Sequence, residues 1–167
     1  MTSNKPLNLE DLSTITRADI ESMFNISGKK GKEGTTFIAK CQDDSEYAIK
    51  LFKKKKSVKK LNKEAALQKM AAEFGISPMV FAVNDEEKYI IMEKMEKTIV
   101  DVMIEKYGNE DRPLDEYQQK RIIDICEKLD QAKVLQNDGN PLNLMVNSQG
   151  EVFVIDFGFA KPITKAI

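Results

Sequence analysis

No histidine occurs anywhere in the 167 residues. Without imidazole there is no Ser-His-Asp triad, no histidine base and no histidine-ligated zinc site, so carboxylates, amides and lysines must carry any chemistry. Cysteine is almost as scarce: Cys41 and Cys126 have neither metal-ligand spacing nor the number for a disulfide framework, and read as reduced thiols in packed positions. Long apolar runs are missing too. Nothing approaches the length that spans a bilayer, and Met1-Thr2-Ser3-Asn4-Lys5 has no signal-peptide core, so an intracellular, cytoplasmic protein with no membrane partner is expected. A net charge of −1 provides no overall field for nucleic acid, which is not expected as a partner.

With 41% hydrophobic and 32% charged residues, the composition suits a single globular domain. Residues 1–24 read as a polar leader, irregular to Thr16, with a short helix from Arg17 to Phe24. Three strand-like segments follow (Asn25 to Lys30, Thr35 to Cys41, Tyr47 to Lys53), separated by turn chemistry at Gly31-Lys32-Glu33-Gly34 and Gln42-Asp43-Asp44-Ser45. Lys53 to Lys56, with Lys59 and Lys60, form a basic run that reads first as a solvated strand end and helix start, and second as a dock for an acidic partner or RNA. Ser57 can cap a helix to about Phe74, closed by Gly75, with Leu61, Ala65, Leu67, Gln68 and Met70 on one side. Two more strands, Met79 to Val83 and Lys88 to Met92, precede helices at Thr98 to Tyr107 and about Leu114 to Lys133, the second with a stripe of Ile122, Ile123, Ile125, Cys126 and Leu129. Leu144 to Val146 and Val152 to Ile155 form a last hairpin.

Chemistry concentrates near the end. In Gln136-Asn137-Asp138-Gly139-Asn140-Pro141-Leu142-Asn143, Asp138 stands five residues before Asn143, and Asp156 of Asp156-Phe157-Gly158 stands thirteen after it. An aspartate can orient a hydroxyl and accept its proton, while an amide oxygen and a second carboxylate hold a divalent cation. Upstream, Tyr47-Ala48-Ile49-Lys50 places a lysine on a strand, and Glu64 lies on the next helix.

These segments resemble the protein-kinase-like superfamily: its HRDxxxxN pattern at Gln136 to Asn143, its DFG at Asp156 to Gly158, and its Val-Ala-Ile-Lys strand at Tyr47 to Lys50. The resemblance implies an α+β, two-lobed fold: a five-stranded antiparallel small lobe with one helix, about 25–93, and a truncated, mainly helical large lobe, about 96–167, together a minimal kinase-like domain over 25–167. It implies ATP and Mg²⁺ or Mn²⁺ as cofactors, with Asp138 and Lys50 catalytic and Asn143 and Asp156 as metal ligands. Gly31, Gly34, Thr36, Ala48, Lys50, Glu64, Met92, Glu93, Met95 and Met145 would bind ATP, Glu64 by pairing with Lys50, and backbone groups of Glu93 and Met95 by contacting adenine.

Several positions depart from the family. Gln136 and Asn137 replace the histidine and arginine of HRD, which implies that no activation-loop phosphate is read. Asn140 replaces a lysine, and Lys29 stands where the first glycine of GxGxxG belongs. Nine residues after Gly158 leave no peptide-docking platform, an economy similar to that of RIO-type kinases and small kinases of large DNA viruses; for the latter the site of action would be host cytoplasm. The leading expectation is a serine/threonine protein kinase acting on a hydroxyl. A small-molecule kinase and a nucleotide-binding regulatory pseudokinase are the alternatives, and a homodimer or activating partner docking on Ile122, Ile125 and Leu129 would complete the large lobe.

Overall fold

The computed structural model describes residues 5–27, 33–107, 116–131, 134–135, 144–155 and 161–162. The chain divides into two units. The first comprises residues up to Ala65 with Met79–Lys94, and the second Ala66–Pro78 with the residues from Met95 onward.

The first unit is built on one antiparallel sheet of β1 (Asn25–Ile26), β2 (Gly34–Lys40), β3 (Glu46–Phe52), β4 (Val80–Asn84) and β5 (Tyr89–Glu93), in the order β1-β2-β3-β5-β4. Asp43 makes the β2–β3 turn by accepting from the Ser45 backbone N–H and hydroxyl, while Asp44 takes φ +67°. At the other end of the pair a Cβ on Gly34 would lie 2.3 Å from the Leu51 carbonyl oxygen, so only glycine allows β2 to start so close to β3. In β4 the register shifts between Val80 and Ala82, and Phe81 turns outward against the edge of Tyr47.

Alternation along β3 sends Tyr47, Ile49 and Leu51 to one face, and Ala48, Lys50 and Phe52 to the other. Two short helices, α1 (Leu9–Leu12) and α2 (Arg17–Met23), cover the first face. From residue 5 on, the stretch expected to be irregular up to Thr16 is therefore ordered: Asn8 and Thr16 cap the two helices, and Leu12 and Ile20 are fully buried. Each such side chain contributes about 1.5–3 kcal/mol by leaving water. Tyr89, also fully buried, aims its hydroxyl at the Leu12 and Ile15 carbonyls, both at 3.0 Å, and accepts from the Asn84 amide. That desolvation raises the phenol pKa.

Helix α3 (Val58–Glu73) gives its first part, through Ala65, to this unit and the rest to the second. Ser57 caps it as expected, accepting from the Lys60 N–H, and Gly75 ends it at φ +74°. Leu61, Ala65 and Gln68 are buried as expected, but Met70 is exposed. Nine residues at about 100° each place Met70 opposite Leu61 on the helix.

In the second unit, α4 (Ile99–Tyr107) opens on a reciprocal cap in which the Thr98 hydroxyl accepts from the Asp101 N–H and the Asp101 carboxylate from the Thr98 N–H. Thr98 lies not inside the helix but in β6 (Lys97–Thr98), which joins β8 (Leu144–Val146) and β9 (Val152–Val154) in a sheet ordered β6-β8-β9. Leu67, Ala71, Ile76, Ile99, Ile125, Val146, Val152 and Val154 form its core. From α5 (Glu116–Gln131), Arg121 donates to the Val152 and Gly75 carbonyls, pairs with Asp124 and lies over the Phe153 ring.

The expected stripe on α5 is narrower than its apolar residues suggested. Ile125 is buried, Ile122 is half-buried, Ile123 and Cys126 face solvent, and the side chain of Leu129 lies outside the described residues. Ile123 and Cys126 sit about 160° and 100° around the helix from Ile125, taken as the shorter way round at about 100° per residue, which turns them from the core. Ile125, one of the three residues expected to dock a second copy or activating partner, belongs to the unit's own core.

Candidate active site

Register places four of the expected nucleotide-binding residues on one face of three neighbouring strands. Thr36 of β2 lies opposite Lys50 of β3, and Ala48 of β3 opposite Met92 of β5. Ala48 and Met92 are buried with Phe52, Leu61, Ala65 and Ile90 in the apolar cluster between sheet and α3. Gly34 begins β2 at the open end of that hairpin.

Among these apolar groups lies buried charge. The Lys50 Nζ donates to Glu64 Oε2 at 2.7 Å, and the two side chains are 14% and 2% exposed. Bringing a strand lysine against a helix glutamate requires the alternation that puts Lys50 on the face of Ala48 and Phe52 and a turn of α3 that sends Glu64 back toward the sheet; the kinase resemblance implied this pair. Removing one member of such a buried pair costs about 3–5 kcal/mol, because the other is left charged and dry.

A third residue, missed from the sequence, completes the cluster. Lys56, read as part of the solvated run, is only 7% exposed in its side chain and donates to Glu64 Oε1 at 2.8 Å and to Glu33 Oε2 at 3.2 Å. Its ammonium lies 4.5 Å from the centre of the Phe52 ring, and that of Lys50 lies 5.0 Å from it. Only the interval of eight residues between Lys56 and Glu64, across the Ser57 cap, hinted that the fourth lysine differs from its exposed neighbours Lys53, Lys54 and Lys55.

Glu93, at the end of β5, binds the chain before β4: its N–H donates to the Met79 carbonyl and its carboxylate accepts from the Met79 N–H. Met95 is buried in the second unit, and Met145 is half-buried in β8 opposite Phe153 and Thr98. A hollow of about 620 Å³ opens on the other face of the first sheet beside Arg17, Phe24, Phe37 and Leu51. Phe52 and Gly34 also line it, but Lys50, Lys56 and Glu64 do not.

Gly31, Asp138, Asn143 and Asp156 lie outside the described residues. Their flanks are described. Leu144, next to Asn143, pairs with Val154, two residues before Asp156. Strand β7 (Val134–Leu135), just before Gln136, pairs with β10 (Lys161–Pro162), just after Ala160. The two segments that carry the expected base and metal ligands therefore start and end on paired strands. Among the described residues no cluster of three or more Cys, Asp or Glu could hold a metal ion, and no helix is long and apolar enough to cross a membrane.

The protein kinase domain model matches residues 28–167. The chain belongs to the protein kinase domain family. Its α+β fold, with a five-stranded antiparallel sheet and the α3 helix, is a protein-kinase-like fold. Among curated proteins, this kinase-domain chain is 29% identical over 139 residues to the serine/threonine-protein kinase PKH1 of Saccharomyces cerevisiae, covering 78% of this chain and 18% of that protein. It is 33% identical over 94 residues to the serine/threonine-protein kinase SKM1 of the same yeast, covering 51% and 14%. With the cAMP-dependent protein kinase catalytic subunit of Dictyostelium discoideum it shares 26% identity over 133 residues, 79% of this chain and 20% of the relative. The chain thus spans about a fifth or less of the length of these relatives.

Proposed function

We propose that this kinase domain is catalytically active and transfers the γ-phosphoryl group of ATP to a serine or threonine hydroxyl of a protein. The observation that carries the reading is the buried Lys50–Glu64 pair, 2.7 Å long, on the face that also bears Thr36, Ala48 and Met92. A lysine held in this way is a fixed positive charge for phosphates, and charge set in place before reaction is the main resource of phosphoryl transfer.

The roles then follow from the residue types. Lys50 binds the α- and β-phosphates. Ala48 and Met92, with Met145, offer apolar surface to the adenine ring, and the Glu93 carbonyl and Met95 backbone N–H bond its edge, since the Glu93 N–H is engaged by Met79. Gly31 and Gly34 allow the backbone close to the phosphates. Asn143 and Asp156 are hard oxygen donors suited to Mg²⁺, or to Mn²⁺, which supplies positive charge beside the phosphates. Asp138 orients the acceptor hydroxyl and takes its proton as the hydroxyl oxygen bonds to phosphorus, the bond from the γ-phosphorus to the bridging oxygen breaks and ADP leaves. The named serine/threonine kinases among the relatives favour a protein acceptor over a small molecule.

The purified chain, given Mg²⁺, γ-labelled ATP and a generic protein substrate, is expected to transfer label, and Asp138→Asn to lose transfer while still binding Mg-ATP. Binding without transfer by the unaltered chain would instead identify a regulatory pseudokinase, or a domain that needs an activating partner.

A further inference from the structure

We infer that Lys56 is a positioning residue that holds Glu64 in register for Lys50, a role that rests on the kinase reading above. Glu64 is a carboxylate with two oxygens in an almost dry place, 2% exposed, and each oxygen has one ammonium: Oε2 has Lys50 at 2.7 Å and Oε1 has Lys56 at 2.8 Å. With Oε1 taken, the carboxylate cannot rotate to offer Lys50 either oxygen, and the Lys50 ammonium is drawn to one place. Lys56 itself is fixed from three sides, by Glu64, by Glu33 at 3.2 Å and by the Phe52 ring at 4.5 Å.

The charges run in alternation, Lys50, Glu64, Lys56, Glu33, so the four sum to zero. This matters when Lys50 turns part of its hydrogen bonding to phosphate. Glu64 would then be a buried carboxylate with a weakened partner, an expensive state; Lys56 keeps it neutralised. The Glu33 carbonyl also accepts from the Lys53 N–H at 2.8 Å, so backbone and side chain of Glu33 are both bonded to the segment after β3.

Lys56 acts on the phosphate end of the nucleotide through Glu64 and Lys50, and touches nothing that would recognise adenine. Lys56→Met keeps the apolar stem over Phe52 and removes the charge. Its expected signature is a rise of about tenfold in the KM for ATP, the lower end of the range seen when an outer-layer partner of a bound group is lost, with kcat changed less than about threefold, because Lys50 itself, which carries the charge stabilisation, is kept and still pairs with Glu64. Affinity for Mg-ADP should fall by a similar factor and affinity for adenosine should not change, while Lys56→Arg, which restores the cation, should recover most of the loss.

Calorimetric titration of the unaltered chain, Lys56→Met and Lys56→Arg with Mg-ADP and with adenosine, beside steady-state kinetics, decides it. Equal Mg-ADP affinity in the unaltered chain and Lys56→Met overturns the role of Lys56 and leaves the kinase reading standing. Parallel loss of adenosine and Mg-ADP affinity overturns it in favour of general disruption. An unaltered chain that binds neither ligand overturns the kinase reading and this role with it.

Discussion

The two faces of the first sheet are made from alternate residues of the same strands, yet they are closed in opposite ways. On one, Tyr47, Ile49 and Leu51 meet Leu12 and Ile20 in an apolar layer that also holds the Tyr89 hydroxyl, bonded to carbonyls of the covering segment. On the other, Ala48, Lys50 and Phe52 meet α3 around ion pairs involving two lysines and Glu64. An apolar layer gains stability from every buried methylene, whereas a buried ion pair does little better than break even. A sheet that spends one face on hydrocarbon can keep charge on the other, and under the function proposed above the contrast would separate residues kept for stability from residues kept for chemistry.

Substitutions should respect that division. Lys50→Met, at the charged face, should reduce label transfer by about 10²–10³-fold, the range for loss of a preorganised charge-stabilising group, with thermal unfolding showing a folded protein. If transfer survives, the charged face is structural and the contrast collapses. Leu12→Ala, at the apolar face, should cost about 2–5 kcal/mol in denaturant unfolding, while Mg-ADP affinity, corrected for the folded fraction, stays within about twofold. A larger change would mean that the faces are coupled.

Tyr89→Phe tests the apolar layer more finely. It removes a hydroxyl that serves two carbonyls and one amide, and a loss of about 1–3 kcal/mol is expected from the carbonyls left dry. The same residue gives a pH test. Burial raises the Tyr89 pKa above its usual value near 10, so the folded chain holds the proton more tightly than the unfolded one. Stability from this source is complete below about pH 10 and falls as pH rises through the shifted value. An unfolding free energy that drops above pH 10 in the original chain and less steeply in Tyr89→Phe would bear this out; identical slopes would not.

Much of the first unit was legible because its signals are periodic. Strand alternation and the Ser57 cap set the sides of β3 and the start of α3, while the pairing of Lys50 with Glu64 was what the kinase resemblance implied. What escaped depended on pairing in space. Lys56 is chemically the same as Lys53, Lys54 and Lys55, and only the nearness of Glu33, Glu64 and Phe52 removes it from water. Leu12 escaped because a four-residue helix among polar neighbours has no periodic signature. Ile123 and Cys126 were overcounted because every apolar residue near a stripe was credited to it, and the helical angle decides. For Asp138, Asn143 and Asp156 the reading rests on motif spacing and on the paired strands beside them.

The Ser77 hydroxyl donates to the carbonyl of Val154, a partner 77 residues further along, and Val154 returns its N–H to Ile76. During synthesis the first unit's sheet has all its strands once Glu93 has emerged, but Leu67, Ala71 and Ile76 must wait for β9. From Glu93 to β9 is about sixty residues, which at translation rates of roughly 5–20 residues per second take about 3–12 s. For those seconds the nascent chain carries an unpaired apolar segment just behind a finished sheet, which makes residues 66–78 the place where a chaperone would be most needed and a stalled ribosome most damaging.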